Sequence, residues 1–253
     1  MKKLILAAAV VAMSANAAFA EDFGATQGDW STEIQFNPFS NDFGTFKLDQ
    51  IKVRYMITDQ DALRFGIGFG LDNSKNTPNP ESNEEDIWSK NSYGSFSINL
   101  GYERHIIQKG RIDLYLGAAL GYERTNASQK SQAPYQTGVT NQGDPIYSLY
   151  ETSVHNAWLD GNGNLYGNHR TSNIFKFNLL TGIDFYVYKG LYVGAEFGIS
   201  LRATSLPGWY TTGPDTNDNG NFVGSIDSKK KDKGSELSFK TYCEPALRLG
   251  WTF

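Results

Sequence analysis

Apolar residues alternate with small or polar residues along much of the chain, with a period of two. In "ALRFGIGFGLD", Leu63, Phe65, Ile67 and Phe69 share one face, while arginine, glycine and aspartate share the other. A period of two is typical of a β-strand whose two faces meet different environments. The same alternation predicts eight strands, at about residues 29–36, 46–57, 62–72, 95–103, 111–123, 175–187, 191–202 and 236–253.

The connections between these strands alternate in length. Residues 58–61, 107–110 and 187–190 are short enough for tight turns, whereas 73–91, 125–172 and 204–235 are long and polar. Only the first connection on the long side, about 37–43, is short. Short turns at one end and long loops at the other are typical of transmembrane β-barrels. Within the last strand, Pro245 lacks a backbone donor and predicts a bulge.

The direction of the apolar face follows from the space available. Eight strands close into a barrel whose interior is just wide enough for side chains, and so many Phe, Leu, Ile and Tyr residues would overfill it. The apolar face therefore points outward to lipid, and the face of glycine, serine and charged residues lines the lumen. The fold class predicted is all-β, an eight-stranded antiparallel transmembrane barrel with long extracellular loops. The last strand must pair with the first, because an open edge is not stable in hydrocarbon.

The N-terminus carries the three parts of a secretory signal peptide. Lys2 and Lys3 are followed by an apolar stretch and by an A-x-A-like site at residues 18–20. We therefore assign residues 1–20 to a signal peptide and residues 21–253 to the barrel domain. No later segment has the roughly 20 apolar residues that a membrane helix requires. The single cysteine, Cys243, excludes an intramolecular disulfide framework.

The net charge of the chain argues against nucleic acid as a partner. It is −4 for the whole chain and becomes −6 once the two lysines of the signal peptide are removed. A nucleic-acid partner is not expected for a chain with this acidic net charge.

Together these features resemble a known class of proteins. A signal peptide, eight alternating strands, tight turns against long loops and a final Phe253 resemble small Gram-negative outer-membrane β-barrels. The similarity is to OmpA-barrel and OmpX-like proteins, of the "outer membrane protein beta-barrel domain" or "porin family" kind. It implies location in the Gram-negative outer membrane, with membrane lipid and the insertion machinery as partners and a monomeric state. The residues that resemble the signal read by that machinery, and that close the barrel, are Leu247, Leu249, Trp251 and Phe253.

Fourteen charged residues fall on the inward face of the predicted strands. Seven are basic and seven acidic, and such charges in a narrow lumen must be paired or hydrated. One interpretation is an ion-paired plug that fills the barrel, and the other is a gated path for protons or ions. The residues are Glu33, Lys52, Arg54, Arg64, Glu103, Asp113, Glu123, Lys176, Asp184, Glu196, Arg202, Lys240, Glu244 and Arg248.

The sequence contains no convincing catalytic or metal-binding motif. His105, His155 and His169 are scattered, and no His-x-Ser pattern like that of lipid A deacylase barrels is present. "DTNDNG" (215–220) and "DGNGN" (160–164) resemble the start of a calcium loop but lack the glutamate at position twelve. We expect neither an enzyme nor a cofactor or metal.

Aromatic residues in the long loops are the clearest candidates for binding. They lie among Asn, Gly, Ser and Thr, so they either form a surface for a sugar or protein or pack the loops together, with "NAWLDGNGNLYG" as a hairpin. The function expected is that of a non-enzymatic structural or surface-interaction protein whose loops contact an extracellular protein or glycan. The alternative is a narrow channel for small or hydrophobic solutes. The aromatic residues are Tyr135, Tyr147, Tyr150, Trp158, Tyr166, Trp209 and Tyr210.

Overall fold

The structure is a computed structural model that describes residues 23–36, 50–77, 87–160, 163–216, 222–227 and 232–253. Within these ranges the side chains at 35, 36, 50, 168, 222, 226, 227 and 242–248 are not described. The predicted signal peptide and the connection at 37–43 lie outside the described residues. So do the side chains of Glu244, Leu247 and Arg248.

The described residues form thirteen strands and no helix that is long and apolar enough to cross a membrane. The strands are β1 (Trp30–Phe36), β2 (Gln50–Met56), β3 (Asp61–Asn76), β4 (Trp88–Lys109), β5 (Ile112–Val139), β6 (Pro145–His155), β7 (Ala157–Leu159), β8 (Leu165–Arg170), β9 (Ser172–Tyr188), β10 (Leu191–Leu206), β11 (Tyr210–Thr216), β12 (Phe222–Asp227) and β13 (Gly234–Thr252).

Eight of these strands close into a barrel. The ring runs β1, β2, β3, β4, β5, β9, β10 and β13, and each neighbouring pair is antiparallel. β13 pairs back to β1, with Thr32 opposite Trp251 and Ile34 opposite Leu249. The predicted eight-stranded antiparallel barrel is therefore confirmed.

The two faces of the barrel wall differ as the alternation predicts. Large apolar side chains point outward and remain accessible, including Leu71 at 82% and Leu120 at 66% exposure. Arg54, Arg64 and Glu103 point inward and are buried. A folded protein in water rarely leaves a continuous belt of large apolar side chains uncovered, so this exterior is suited to hydrocarbon.

Much of the sequence predicted as long loops is strand. β5 continues past its last pairing with β9, at Thr125, and its upper part pairs with β4 on one side and with β6 on the other. β6 then pairs with β11, and β11 pairs with β12. We call this projecting sheet, formed by the upper parts of β3, β4 and β5 together with β6, β11 and β12, the extension. The wall of the barrel is thus continued on one side beyond the apolar belt.

A small hairpin lies against the extension. β7 pairs with β8, which confirms the hairpin predicted for "NAWLDGNGNLYG". The chain enters it through Asn156, which has a φ of 68°, a left-handed conformation that asparagine tolerates better than most residues. Ala157 is buried against Val154 and Trp209, so the hairpin shares a small apolar core with the chain that flanks it.

The last strand contains the bulge predicted at Pro245. Gly194 of β10 pairs with Arg248, and Glu196 pairs with Glu244, so one residue of β10 lies opposite three of β13. An extra pair of residues leaves the in–out alternation unchanged on either side. Pro245, which has no backbone N–H, therefore lies where the hydrogen bonds between β10 and β13 are already interrupted.

Candidate functional site

The lower half of the lumen, near the tight turns, contains a cluster of buried ionisable side chains. Eight of the fourteen predicted lumen residues are buried here, drawn from strands all around the ring. Glu123, Lys176 and Arg202 are only half-buried in the upper half, and Lys240 is exposed. We call the buried eight the lumen network: Glu33, Lys52, Arg54, Arg64, Glu103, Asp113, Asp184 and Glu196.

Arg54 lies at the centre of the lumen network. Its Nη1 is 2.7 Å from Asp184 Oδ2, its Nε is 2.9 Å from Glu103 Oε2, and its Nη2 is 3.3 Å from Glu33 Oε2. A single guanidinium thus contacts carboxylates from β1, β4 and β9. Because all four side chains are excluded from water, each charge depends on the others for compensation.

Like charges that face each other across strands are separated by opposite charges. Arg54 is directly opposite Arg64 in the register of β2 and β3. Glu103 bridges them, since its Oε1 also lies 2.6 Å from Arg64 Nη1. Glu196 then connects Arg64 Nη2, at 3.0 Å, to Lys52 Nζ, at 3.6 Å. The like-charge pair is therefore tolerated because carboxylates stand between the two guanidinium groups.

Two buried tyrosines complete the contacts of Arg54. Arg54 donates to the hydroxyl of Tyr115 at 3.1 Å and to that of Tyr192 at 3.4 Å. The tyrosines in turn donate to Glu196 and Glu33, each at 3.2 Å. Both rings lie across a neighbouring strand at a glycine: Tyr115 is opposite Gly182, and Tyr192 is opposite Gly250. A Cβ atom at either glycine would overlap the ring of its tyrosine, so the glycines create the space that the rings fill.

His105 extends the network towards the tight turns. Its Nδ1 lies 2.7 Å from Asp113 Oδ1, and its buried Nε2 lies 3.9 Å from Glu103 Oε2. Asp113 is directly opposite Asp184 across β5 and β9. These two carboxylates are held by different partners, Asp113 by His105 and Asp184 by Arg54.

The upper half of the lumen is more open. Lys176 forms an ion pair with Glu123, and both side chains retain access to solvent. Arg202 is directly opposite Lys176 across β9 and β10. Lys176 and Glu123 are therefore accessible to solvent as well as paired, unlike the charges of the lumen network.

The extension buries two of the predicted loop aromatics. Trp158 is stacked on His169, with ring centroids 4.1 Å apart and planes 7° apart, and its Nε1 donates to the carbonyl of Ser92 at 3.0 Å. Trp209 is also buried, and its Nε1 donates to Asp232 Oδ2 at 3.0 Å. Both tryptophans therefore help to hold the extension together.

The other loop aromatics are more accessible. Tyr135 and Tyr150 meet edge to face across β5 and β6, with centroids 6.2 Å apart. Tyr147 and Tyr166 are exposed, and Tyr210 is half-buried and stacked on His155. The predicted set thus divides into a buried part, which packs the extension, and an accessible part, which is available to a partner.

One exposed ion pair lies on the extension. Lys130 Nζ is 2.7 Å from Glu151 Oε1, and the hydrogen bond from this ammonium lowers the pKa of Glu151. Because both side chains are well hydrated, such a pair contributes little to stability.

The stretches that resemble calcium loops do not assemble a metal site in the part of the chain that is described. No group of three His, Cys, Asp or Glu side chains there could hold a metal ion. Asp160 instead accepts a hydrogen bond from the backbone N–H of Asn164 at 2.8 Å and so supports the turn of the β7–β8 hairpin. Asn162, Asn217, Asn219 and Gly220 lie outside the described residues.

The predicted closing signal lies on the strand that seals the ring. The backbone N–H of Phe253 donates to the carbonyl of Trp30 at 2.8 Å, and Trp30 donates back to Phe253 at 3.0 Å. Leu249 and Phe253 are exposed on the outer face. The chain is therefore paired to its last residue.

Comparison with protein-family models gives no match, and comparison with curated protein sequences gives none. Among solved structures, the chain is similar to outer membrane protein AlkL, whose structure was determined by solid-state NMR in DMPC lipid bilayers. The two share 14% sequence identity over 93% of this chain and 94% of that chain, with a TM-score of 0.30. At this level of similarity the fold assignment rests on the strand pairings described above.

Four residues of the lower lumen do not belong to the predicted set of charged residues. His105, Tyr115, Tyr186 and Tyr192 are all buried there. His105 has the parity of Glu103, and the three tyrosines have the parity of Asp113, Asp184 and Glu196. The alternation therefore places all four inside, although they are aromatic and lie outside a set chosen by charge.

Proposed function

We propose that the protein is a non-enzymatic barrel of the Gram-negative outer membrane that binds an extracellular protein or glycan through its extension. The belt of exposed Leu, Ile and Phe side chains supports the membrane location, because hydrocarbon is the solvent in which such a surface is stable. The resemblance in the sequence implies the same membrane. Lipid and the insertion machinery are then its partners, and the closed ring suits a monomer.

The observation that carries this proposal is the buried lumen network. Glu33, Glu103 and Asp184 surround Arg54 without access to solvent, and the rings of Tyr115 and Tyr192 fill space beside it. Opening a continuous pore would require these ion pairs to separate in a region of low dielectric, which is costly. Because the ion pairs and the tyrosine rings fill the lower lumen, we infer that the protein functions through binding at its outer surface rather than through transport.

The extension supplies a suitable exterior. It is an ordered sheet with exposed aromatic, amide and hydroxyl groups, and it projects beyond the apolar belt. Rigid surfaces of this kind lose less conformational entropy on binding than flexible loops do.

One observation favours the alternative, a narrow channel. Glu123, Lys176 and Arg202 leave the upper lumen partly accessible to solvent, which resembles an entrance. In that case the lumen network would be a gate, and its opening would separate the ion pairs around Arg54.

Removing the part of the extension between residues 128 and 170 separates these proposals. The backbone N–H of Ala127 donates to Thr171 Oγ1 at 3.0 Å, so the ends of a deletion of residues 128–170 are already adjacent and a short Gly-Ser linker can join them. We expect the deletion variant to insert and to keep its heat-modifiable migration in detergent gels, because the eight-stranded ring is intact. Cells expressing it should lose their adhesion to immobilised extracellular-matrix proteins and to glycan arrays.

The matched control replaces only the turn at 140–144, which leaves the extension in place, and it should adhere like the wild type. Adhesion that survives the deletion would contradict the proposal. Flux of small sugars through the wild-type protein in a liposome-swelling assay would favour the channel.

A further inference from the structure

The sheet forks where β5 changes partners. Thr125 pairs with Ser172 of β9, whereas Ser128 pairs with His155 of β6. Between the two arms, Thr171 Oγ1 accepts from the backbone of Ala127, and the N–H of Thr171 donates to the carbonyl of Asn156 at 2.9 Å. A cleft of about 340 Å³, here called the fork cleft, opens at this point. Its volume is within the range of sites for small ligands.

The floor of the fork cleft is a single row of side chains across five strands. Each member is directly opposite the next in the register, and the row has the same parity as the outward-facing Leu71. The row therefore lies on the outer face of the wall, next to the upper end of the apolar belt. Its members, in order from β3 to β11, are Asn73, Ser92, Ser128, His155 and Tyr210.

An aromatic wall closes one end of this row. His155 and Tyr210 are stacked, with centroids 4.4 Å apart and planes 12° apart. A contact of 3.2 Å between His155 Nε2 and Thr212 Oγ1 fixes the histidine ring. In the adjacent row, Gly94 lies between Leu71 and Asn126, so the floor lacks a side chain there and is recessed.

The lining is polar but carries no carboxylate, ammonium or guanidinium group among the described residues. Asn73, Asn126 and Asn156 provide amides, and the serines and Thr171 provide hydroxyls. Asn126 Oδ1 already accepts from Arg124 Nε and Asn156 Nδ2 already donates to the carbonyl of Gly208, each at 3.0 Å, which leaves the Asn126 Nδ2 donor and the Asn156 Oδ1 acceptor for a ligand. An anion would find no cation among the lining residues, and an apolar ligand would not use these remaining polar groups. A neutral ligand with many hydroxyl groups and a face of C–H bonds satisfies both the amides and the aromatic ring.

We propose that the fork cleft binds a neutral saccharide ring, stacked on the face of His155 that is turned away from Tyr210 and hydrogen-bonded by Asn126 and Ser128. This inference rests on the proposed function, since it locates part of the binding surface and names the class of ligand. The same sugar chemistry is available from a free glycan or from the headgroup of a membrane glycolipid, because the cleft adjoins the apolar belt.

The test uses the full-length protein refolded into nanodiscs that lack lipopolysaccharide. The free probes are methyl glycosides of glucose, galactose and N-acetylglucosamine, followed by saturation-transfer NMR and calorimetry. The anchored probe is a neutral monogalactosyl lipid included in the nanodisc, detected by NMR shifts of the tyrosines. Binding of the free glycosides assigns the site to soluble glycans, and binding of the anchored sugar alone assigns it to a glycolipid; either supports the proposal.

His155→Ala and Asn126→Ala are each expected to weaken saccharide binding about tenfold, whereas Tyr147→Ala, which removes an exposed aromatic ring outside the fork cleft, should have no effect. Asn126→Ala decides the matter if His155→Ala disturbs the extension. Equal losses in all three variants, or no binding of any probe by the wild type, would overturn the proposal. If no probe binds but adhesion still depends on residues 128–170, only the saccharide site is wrong. If adhesion survives that deletion, the proposed function is wrong.

Discussion

Replacing Arg54 with leucine is expected to lower the free energy of unfolding of the barrel by about 3–5 kcal/mol. The substitution leaves the carboxylates of Glu33, Glu103 and Asp184 buried without the guanidinium that all three contact. It also removes the donor to the hydroxyls of Tyr115 and Tyr192. The measurement is urea unfolding in lipid vesicles, with the temperature of the gel-mobility transition as a second readout.

Arg104→Leu is the matched control. Arg104 also pairs with a carboxylate, Asp61 at 2.8 Å, but its side chain is about half exposed, at 52%. Its loss should therefore lower the free energy of unfolding far less than the loss of Arg54, because solvent screens an exposed ion pair. Equal effects of the two substitutions would show that the lumen network is not organised around Arg54. If Arg54→Leu left stability unchanged and raised the conductance of planar bilayers, the network would be a gate and the channel function would be favoured.

Gly182→Val is expected to destabilise the barrel by about 1–3 kcal/mol, although it adds apolar surface. The new side chain would occupy the position of the Tyr115 ring. Displacing that ring breaks its hydrogen bonds with Arg54 and Glu196. The same measurements of unfolding apply.

A double-mutant cycle tests whether the cost arises from the ring. In a Tyr115→Ala background the space at Gly182 is free, so Gly182→Val should cost much less than in the wild type. Gly224→Val is the control, because a Cβ atom at that strand position meets no atom within 4 Å. An additive cycle would contradict the interpretation that Gly182 is required by Tyr115.

The barrel itself was predictable because one physical constraint acts on every one of its residues. A wall between lipid and a narrow lumen imposes a period of two, so segments such as "ALRFGIGFGLD" reveal both the strand and its outward face. The same parity correctly placed Glu33, Arg54 and Glu103 inside. The bulge at Pro245 followed from the missing donor of proline.

The extension was not predictable in the same way. β6 and β11 have polar residues on both faces, so their sequences lack the alternation that marks a strand. These strands form because the edge of β5 beyond the ring is available to pair with β6. Such pairing joins residues that are far apart in the sequence, so it leaves no pattern within the sequence of either strand. For the same reason the sequence alone could not show that Trp158 is buried, since its contacts with Ser92 and His169 depend on the fold.

β5 runs without interruption from Ile112 to Val139, and β4 accompanies it from Lys109 back to Trp88. The part above Thr125 covers roughly 45 Å at about 3.3 Å per residue. A partner that pulls on the tip of the extension therefore loads the β4–β5 ladder in shear. Hydrogen bonds loaded in shear share the force, whereas those at a peeled edge break one after another. The extension would thus transmit tension directly into the barrel wall.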